Sequence, residues 1–146
     1  MTWSLRASGF LAVSVLILAS CSSNAVVDLE PGDCFDDETA NGEFVEEVQT
    51  VPMVDCDDPH DNEVYADLDA LDGVFPGIEA MYEEGMARCL PLFESYVGSP
   101  YDTSRLDIFP ITPVAEGWAD GDRKITCVLY DMELNKLTGS MKNSGE

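Results

Sequence analysis

The only histidine of the chain lies in a stretch crowded with carboxylates. His60 follows a proline, and its acidic neighbours are Asp55, Asp57, Asp58, Asp61 and Glu63. One imidazole with several carboxylates could hold a divalent cation. The alternative is that His60 shapes a turn, with a ring nitrogen bonded to the backbone or to an acid. His60, Asp57 and Glu63 are therefore candidate binding residues, although the spacing specifies no metal.

A second candidate group combines an aromatic and a cationic side chain, Trp118 and Arg123. An Arg fork binds carboxylates through two hydrogen bonds, and an indole offers a stacking face. In so acidic a chain, the competing interpretation is an internal bridge between Arg123 and a carboxylate. Trp118 would then belong to the core or its rim.

Motifs typical of enzymes are missing from the sequence. It contains no Gly-x-Ser-x-Gly, no His-Glu-x-x-His and no glycine-rich phosphate loop. A single histidine and no expected free thiol leave few nucleophile–base pairs. Carboxylates are so abundant that their spacing selects no catalytic pair. We expect a protein that is not an enzyme and that uses no cofactor.

The N-terminus has the pattern of a bacterial export signal. Arg6 is its only charged residue, and residues 9–18 form an apolar run that is too short to span a bilayer. Leu18-Ala19-Ser20-Cys21 resembles a lipobox, in which the Cys thiol is acylated and the chain is cut before it. We predict a lipoprotein signal peptide over residues 1–20, acyl chains such as palmitate on Cys21, and an extracytoplasmic position on the cell membrane. An ordinary secretory signal is the alternative.

The other four cysteines predict two disulfides, because an even number in a small exported domain is typical of a disulfide framework. They are Cys34, Cys56, Cys89 and Cys127. Three pairings are possible, and we favour Cys34–Cys56 with Cys89–Cys127 because it joins sequence neighbours. A zinc site is the weaker alternative, since the chain has no Cys-x-x-Cys pair.

The charge of the chain limits the classes of partner that it can bind. It has 29 acidic and 7 basic residues and a formal net charge of -22. Nucleic-acid binding requires clustered Lys and Arg, so this class is excluded. The same charge argues against lying flat on anionic lipid, and we expect contact with the membrane only through the lipid anchor.

Periodicity indicates an α+β fold: a small antiparallel sheet with one kinked helix packed across it. We predict a strand over Glu43–Val54, which Pro52 makes an edge or a break, and an antiparallel partner over Glu63–Leu68 with Val64, Ala66 and Leu68 on one face.

The second half of the chain supplies the helix and two more extended segments. Apolar residues recur every three or four positions over Gly77–Cys89, and Pro91 predicts a kink or a second short helix through Tyr96. Leu106–Thr112 is extended. Asp120-Gly121 predicts a hairpin turn before a strand over Lys124–Tyr130, whose Ile125, Cys127 and Leu129 face the helix.

These elements form one domain over residues 32–140. Residues 21–31 are expected to be a tether, and the polar residues 141–146 a frayed tail.

Five motifs occur in order along the exported part: Gly32-Asp33-Cys34-Phe35, Val54-x-Cys56-x-x-Pro59-His60-x-x-Glu63-Val64, Cys89, Trp118-x-x-Gly121-Asp122-Arg123-x-x-x-Cys127 and Leu137-Thr138-Gly139-Ser140. This ordered set resembles the septum-formation domain family of actinobacterial envelope proteins. The resemblance implies a lipoprotein or membrane-anchored protein, a link to the division septum and no enzyme activity. It brings no catalytic residues.

Two functional hypotheses follow. The first is a non-catalytic exported lipoprotein whose domain binds an envelope or division protein, with a link to septum formation or cell division. The alternative is an extracytoplasmic domain that binds a cation or small ligand around His60 and its carboxylates.

Overall fold

The computed structural model describes residues 28–37 and 51–146. The predicted signal peptide, Cys21, most of the tether and most of the predicted strand Glu43–Val54 lie outside these residues. Seven elements follow one another: β1 Cys34–Phe35, β2 Met53–Val54, β3 Asn62–Asp69, α1 Ile78–Val97, β4 Leu106–Ile111, α2 Ala115–Ala119 and β5 Lys124–Asp131, with one 3-10 turn at Tyr101–Thr103.

The five strands form one sheet in the order β2-β1-β3-β5-β4, and every neighbouring pair is antiparallel. With α1 packed on one face and two disulfides, this confirms the predicted α+β class. The bonds are Cys34–Cys56 and Cys89–Cys127, which is the favoured pairing.

The predicted pairing of the first two strands is wrong in its described part. β1 lies between β2 and β3, so Val54 pairs with Cys34 and Cys34 pairs in turn with Glu63. Two strands separated by a third stand about 10 Å apart. The connection 55–61 is long enough to cross that distance, whereas a tight hairpin turn is not.

A bulge at Tyr65 also changes the predicted faces of β3. The register shifts between Val64, opposite Val128, and Ala66, opposite Cys127. The extra residue turns Val64 towards the cluster of Leu29, Phe35 and Val128, while Tyr65 packs on the helix side. The prediction that Val64 shares a face with Ala66 and Leu68 is therefore wrong.

α1 is one helix that continues past Pro91 to Val97. Its buried stripe consists of Met81, Gly85, Cys89, Phe93 and Val97. This stripe lies against the Ile125, Cys127 and Leu129 face of β5, as predicted. The Cys89–Cys127 bond and buried Phe93 hold the helix to the sheet on both sides of the proline. No helix in the described ranges is both long and apolar enough to cross a membrane.

Asp120-Gly121, predicted to be a hairpin tip, instead ends the short helix α2. Gly121 has φ 98°, and its N–H donates to the carbonyl of Trp118 at 3.1 Å. The Asp122 N–H donates to the Gly117 carbonyl at 2.8 Å. The left-handed conformation that suits a hairpin turn also suits the residue after a helix, and this is why the same dipeptide serves here.

β4 forms one edge of the sheet, and its outward backbone donors are already used. Leu106 donates to Ser104 Oγ at 3.0 Å, Ile108 donates to Asp107 Oδ1 at 2.8 Å, and Pro110 has no N–H. Proline is tolerated in a strand at such an outward edge position. The edge therefore offers no free N–H from these three residues to a further strand.

Residues 141–146, predicted to be frayed, make defined contacts. Met141 is buried, Asn143 N–H donates to the Tyr96 carbonyl at 2.8 Å, and Gly145 N–H donates to the Val97 carbonyl at 2.9 Å. Glu146 pairs with Arg105 at 2.7 Å. The polar composition of this segment concealed these contacts, because most of them are made by its backbone.

Candidate functional site

His60 is fully buried and belongs to the framework of the domain. Its backbone exchanges two hydrogen bonds with Leu137, at 3.0 and 2.8 Å. Its Nδ1 lies 2.8 Å from the carbonyl oxygen of Asp58, which fixes the proton on Nδ1 because a carbonyl can only accept. Nε2 has no hydrogen-bond partner among the described residues. The bonding of a ring nitrogen to the turn backbone is the arrangement expected of a turn-shaping histidine.

Glu63 is also fully buried, and its carboxylate receives three hydrogen bonds. Tyr96 Oη donates to Oε1 at 2.7 Å, Ser140 Oγ donates to Oε1 at 2.5 Å, and Met141 N–H donates to Oε2 at 2.6 Å. Burial, followed by the bond to Glu63, raises the pKa of Tyr96, so that its hydroxyl remains a donor. Through these bonds one carboxylate ties β3 to α1 and to the C-terminal segment.

Cys34, His60 and Glu63 form the one group of possible metal-ligating residues in the described part of the chain. One ligand atom from each lies within 4.8 Å of the others, and all three residues are buried. The Cys34 sulfur is bonded to Cys56, and a disulfide sulfur is not the thiolate that metals bind. The carboxylate of Glu63 already accepts three bonds. The donor set therefore suits a structural cluster better than a cation site.

Asp57, the third residue of the predicted group, does not join His60 and Glu63. Its side chain is exposed, and its N–H donates to Asp55 Oδ1 at 3.0 Å in a local turn. Asp61 instead pairs with Lys136 at 2.9 Å. The contact between Glu63 and Tyr96 had no signal in the sequence, where Tyr96 appeared only as the end of the segment predicted to follow the kink at Pro91. Ser140 could have been found, because it closes the last of the ordered motifs.

Trp118 and Arg123 lie together, but the arginine makes no carboxylate bridge among the described residues. The guanidinium carbon lies 3.7 Å from the centroid of the Trp118 ring. Its Nη1 donates to the carbonyls of Trp118 at 2.9 Å and Asp122 at 2.6 Å. Trp118 is buried in the main core cluster. The stack is a cation–π contact within the protein, and it leaves the indole face covered.

This stack holds one side of residues 69–77, which we call the Val74 loop. The Trp118 indole N–H donates to the Gly73 carbonyl at 3.2 Å, and the Ala70 N–H donates to the Arg123 carbonyl at 2.6 Å. The Phe75 and Trp118 ring centroids are 5.8 Å apart. Trp118 and Arg123 are thus positioning residues for the loop.

α1 holds the other side of the Val74 loop. Glu84 Oε1 accepts the N–H of Leu71 at 3.0 Å, and Arg88 Nη1 donates to the Asp69 carbonyl at 2.7 Å. Arg88 and Glu84 also pair with each other at 2.8 Å, one helical turn apart. Contacts from two directions therefore fix the backbone of this loop.

The fold and its buried cluster define a small disulfide-bonded α+β domain whose histidine and buried glutamate serve its architecture. The family model described as "Septum formation" matches residues 30–145, and the chain belongs to this family. The ordered motifs had predicted this family, and membership indicates a role in septum formation or division. No curated protein and no solved structure matches the chain.

Proposed function

We propose that this protein is a non-catalytic lipoprotein on the extracytoplasmic face of the cell membrane, where its domain binds an envelope or division protein during septum formation. The observation that carries the proposal is the family match, which spans the whole described domain from residue 30 to residue 145. Two disulfides in a small domain support an exported location, because such bonds persist in oxidising compartments.

The lipid anchor in this proposal depends on Cys21 and the small residues before it. Two or more acyl chains give stable attachment where one is marginal. The strong negative charge keeps the domain off anionic lipid. The anchor therefore attaches the protein to the membrane, and the partner determines where on the membrane it lies.

A binding role agrees with the use of the polar side chains. His60 and Glu63 are buried and engaged in the framework, while Trp118 and Arg123 hold a loop. Each candidate that could have served chemistry except Asp57 has a structural partner, and Asp57 is exposed in an acidic turn. This structural use of four of the five candidate residues supports a role through a binding surface.

The test is the position of a fluorescent fusion in dividing cells of the bacterium that makes the protein. The fluorophore should mature outside the membrane. We expect enrichment at midcell in the wild type and its loss in Cys21→Ala. Ser22→Ala is the matched control, because it changes the neighbouring residue and leaves the thiol in place. Uniform membrane signal in the wild type would contradict the septal role, and midcell signal in Cys21→Ala would contradict the anchor.

A further inference from the structure

The Val74 loop and the start of α1 present apolar side chains to solvent. Val74 is 92% exposed, Ile78 70% and Leu71 66%. A single exposed aliphatic residue needs no explanation, but three within one eight-residue segment concentrate exposed apolar side chains at one end of the domain. Val114, which precedes α2, is a further exposed aliphatic residue. We call Leu71, Val74 and Ile78 the apolar tip.

The apolar tip is held in place. The backbone on its two sides is bonded to Glu84 and Arg88 of α1 and to Trp118 of α2, as described above. A fixed loop loses little conformational freedom when a partner binds, and this removes a cost that flexible loops incur. The hydrogen bonds explain the shape of the loop, but they give no reason for Val74 to point into water.

Acidic residues flank the apolar tip along the chain, and we call them its acidic rim. Asp69, Asp72, Glu79 and Glu83 are exposed and have no ion-pair partner among the described residues. The neighbouring cations are engaged inside the protein. Arg88 bonds Glu84, Arg123 stacks on Trp118, and Lys124 pairs with Asp28 at 2.8 Å. The rim is therefore free to attract positive charge.

A partner strand at β4 is a less favourable way to bind this domain. The outward positions of β4 have no free N–H at Leu106, Ile108 or Pro110 to donate to an added strand. The apolar tip has no such obstacle.

We propose that the apolar tip is the docking surface of the domain and that it takes an apolar groove rimmed by Lys and Arg on an envelope protein. The inference rests on the proposed binding function and specifies its surface and the chemistry of the partner. Complementary charge would steer association and fix orientation, while burial of the three aliphatic side chains would supply affinity. A lipid surface is disfavoured as the occupant, because the acidic rim repels anionic headgroups.

The first experiment places the photoreactive amino acid benzoylphenylalanine at position 74 of the full chain in dividing cells. Position 134 is the matched control, since Leu134 is also highly exposed, at 75%. It follows β5 at the end opposite Lys124, about 23 Å along the strand. We expect an adduct with one protein from position 74 and none from position 134. An adduct with phospholipid alone would overturn the proposal, and so would equal adducts from both positions.

The second experiment purifies the protein that was crosslinked to position 74 and measures its binding to full-length variants. Val74→Asp should raise the dissociation constant at least about tenfold, because it places a charge in an apolar contact. Leu134→Asp should leave it unchanged, and Asp is well tolerated at that position, where φ is 58°. Binding should weaken with added salt, and Asp72→Asn should reduce this dependence.

The two experiments distinguish a failure of the proposed docking surface from a failure of the proposed function. Equal binding of wild type and Val74→Asp to a partner found at the septum would overturn the surface and leave the function in place. Loss of midcell position together with loss of any protein adduct would overturn both.

Discussion

At the Asn62 end of β3, polar and ionisable side chains are buried and bonded, whereas at the Asp69 end aliphatic side chains stand in water. Glu63 and His60 have no exposed surface, while Val74 is almost fully exposed. The first end also carries the Cys34–Cys56 bond, and the second is held by Glu84, Arg88 and Trp118. The two ends lie about 23 Å apart along the strand.

The difference shows where stability and function are placed in this domain. The residues of the first end resemble a reactive site in type and spacing, yet their contacts bind the fold together. At the second end the side chains of the apolar tip are largely exposed, so they contribute little to the stability of the isolated domain. Burial of carboxylate and imidazole thus marks architecture here, and exposure of aliphatic residues marks the candidate interface.

The largest effect should come from the first end, in Glu63→Ala. The change leaves the buried donors of Tyr96 and Met141 without an acceptor, so we expect a loss of about 3–5 kcal/mol in the free energy of unfolding, measured by urea denaturation. Asp57→Asn is the matched control and should change it by less than about 0.5 kcal/mol. Equal losses in the two variants would mean that the buried network is not the centre of stability.

The loss of stability at low pH should also arise at the first end of the domain, from Asp131 at the end of β5. Burial alone would raise its pKa, but hydrogen bonds from the Glu133 N–H, the Arg105 guanidinium and Asn135 together lower it. A carboxyl with a lowered folded pKa stabilises the protein above its unfolded pKa of about 3.9, and this stabilisation is lost as pH falls through the folded value.

Asp131→Asn should therefore remove about 2 kcal/mol near neutrality and flatten the dependence of stability on pH below about pH 4. Urea denaturation at a series of pH values measures both. Asp72→Asn, at the second end, should leave the acid slope as in the wild type. If the dependence of stability on acid pH is unchanged in Asp131→Asn, this carboxyl does not contribute to the acid sensitivity of the domain.

Trp118→Phe should have a smaller effect that is confined to the second end. It removes the N–H that holds the Gly73 carbonyl and weakens the stack with Arg123, so we expect a loss of about 1 kcal/mol. Amide hydrogen exchange should accelerate over residues 70–75 and remain unchanged over residues 62–66. Uniform acceleration over both segments would show that the two ends are not independent.

The smallest effect should come from metal ions. Because the Cys34 sulfur is in a disulfide and the Glu63 oxygens accept three bonds, we expect millimolar zinc or calcium to add less than about 0.4 kcal/mol of stability. Thermal melting with and without each ion is the measurement. A larger shift that disappears in His60→Ala would restore the cation-binding hypothesis and make the first end a functional site.

Local patterns were sufficient to predict much of the fold. The helical period placed α1, alternation placed β5, and the order of the cysteines gave the disulfides because sequence neighbours are joined. β1 escaped prediction because two residues carry no period. The bulge at Tyr65 escaped because an alternating pattern does not show an inserted residue.

The candidate sites were harder to predict than the elements. Glu63 is joined to the Met141 N–H, 78 residues further along the chain, and a backbone donor has no sequence signal. The closeness of Trp118 and Arg123 followed from their motif, but their role in holding the Val74 loop depends on backbone carbonyls. The exposure of Val74 could not be read from its type, since valine more often lies inside.

The bonds of Glu63 to residues 140 and 141 have a consequence for the timing of folding. A domain that emerges from an export channel N-terminus first presents β3 long before the segment that completes it. Until residues 137–141 arrive, the carboxylate of Glu63 lacks two of its donors and the His60 backbone lacks its partner Leu137. For a domain exported as proposed, the sheet is therefore completed around Glu63 only late in translocation, and we expect the domain to mature in a single cooperative step after release.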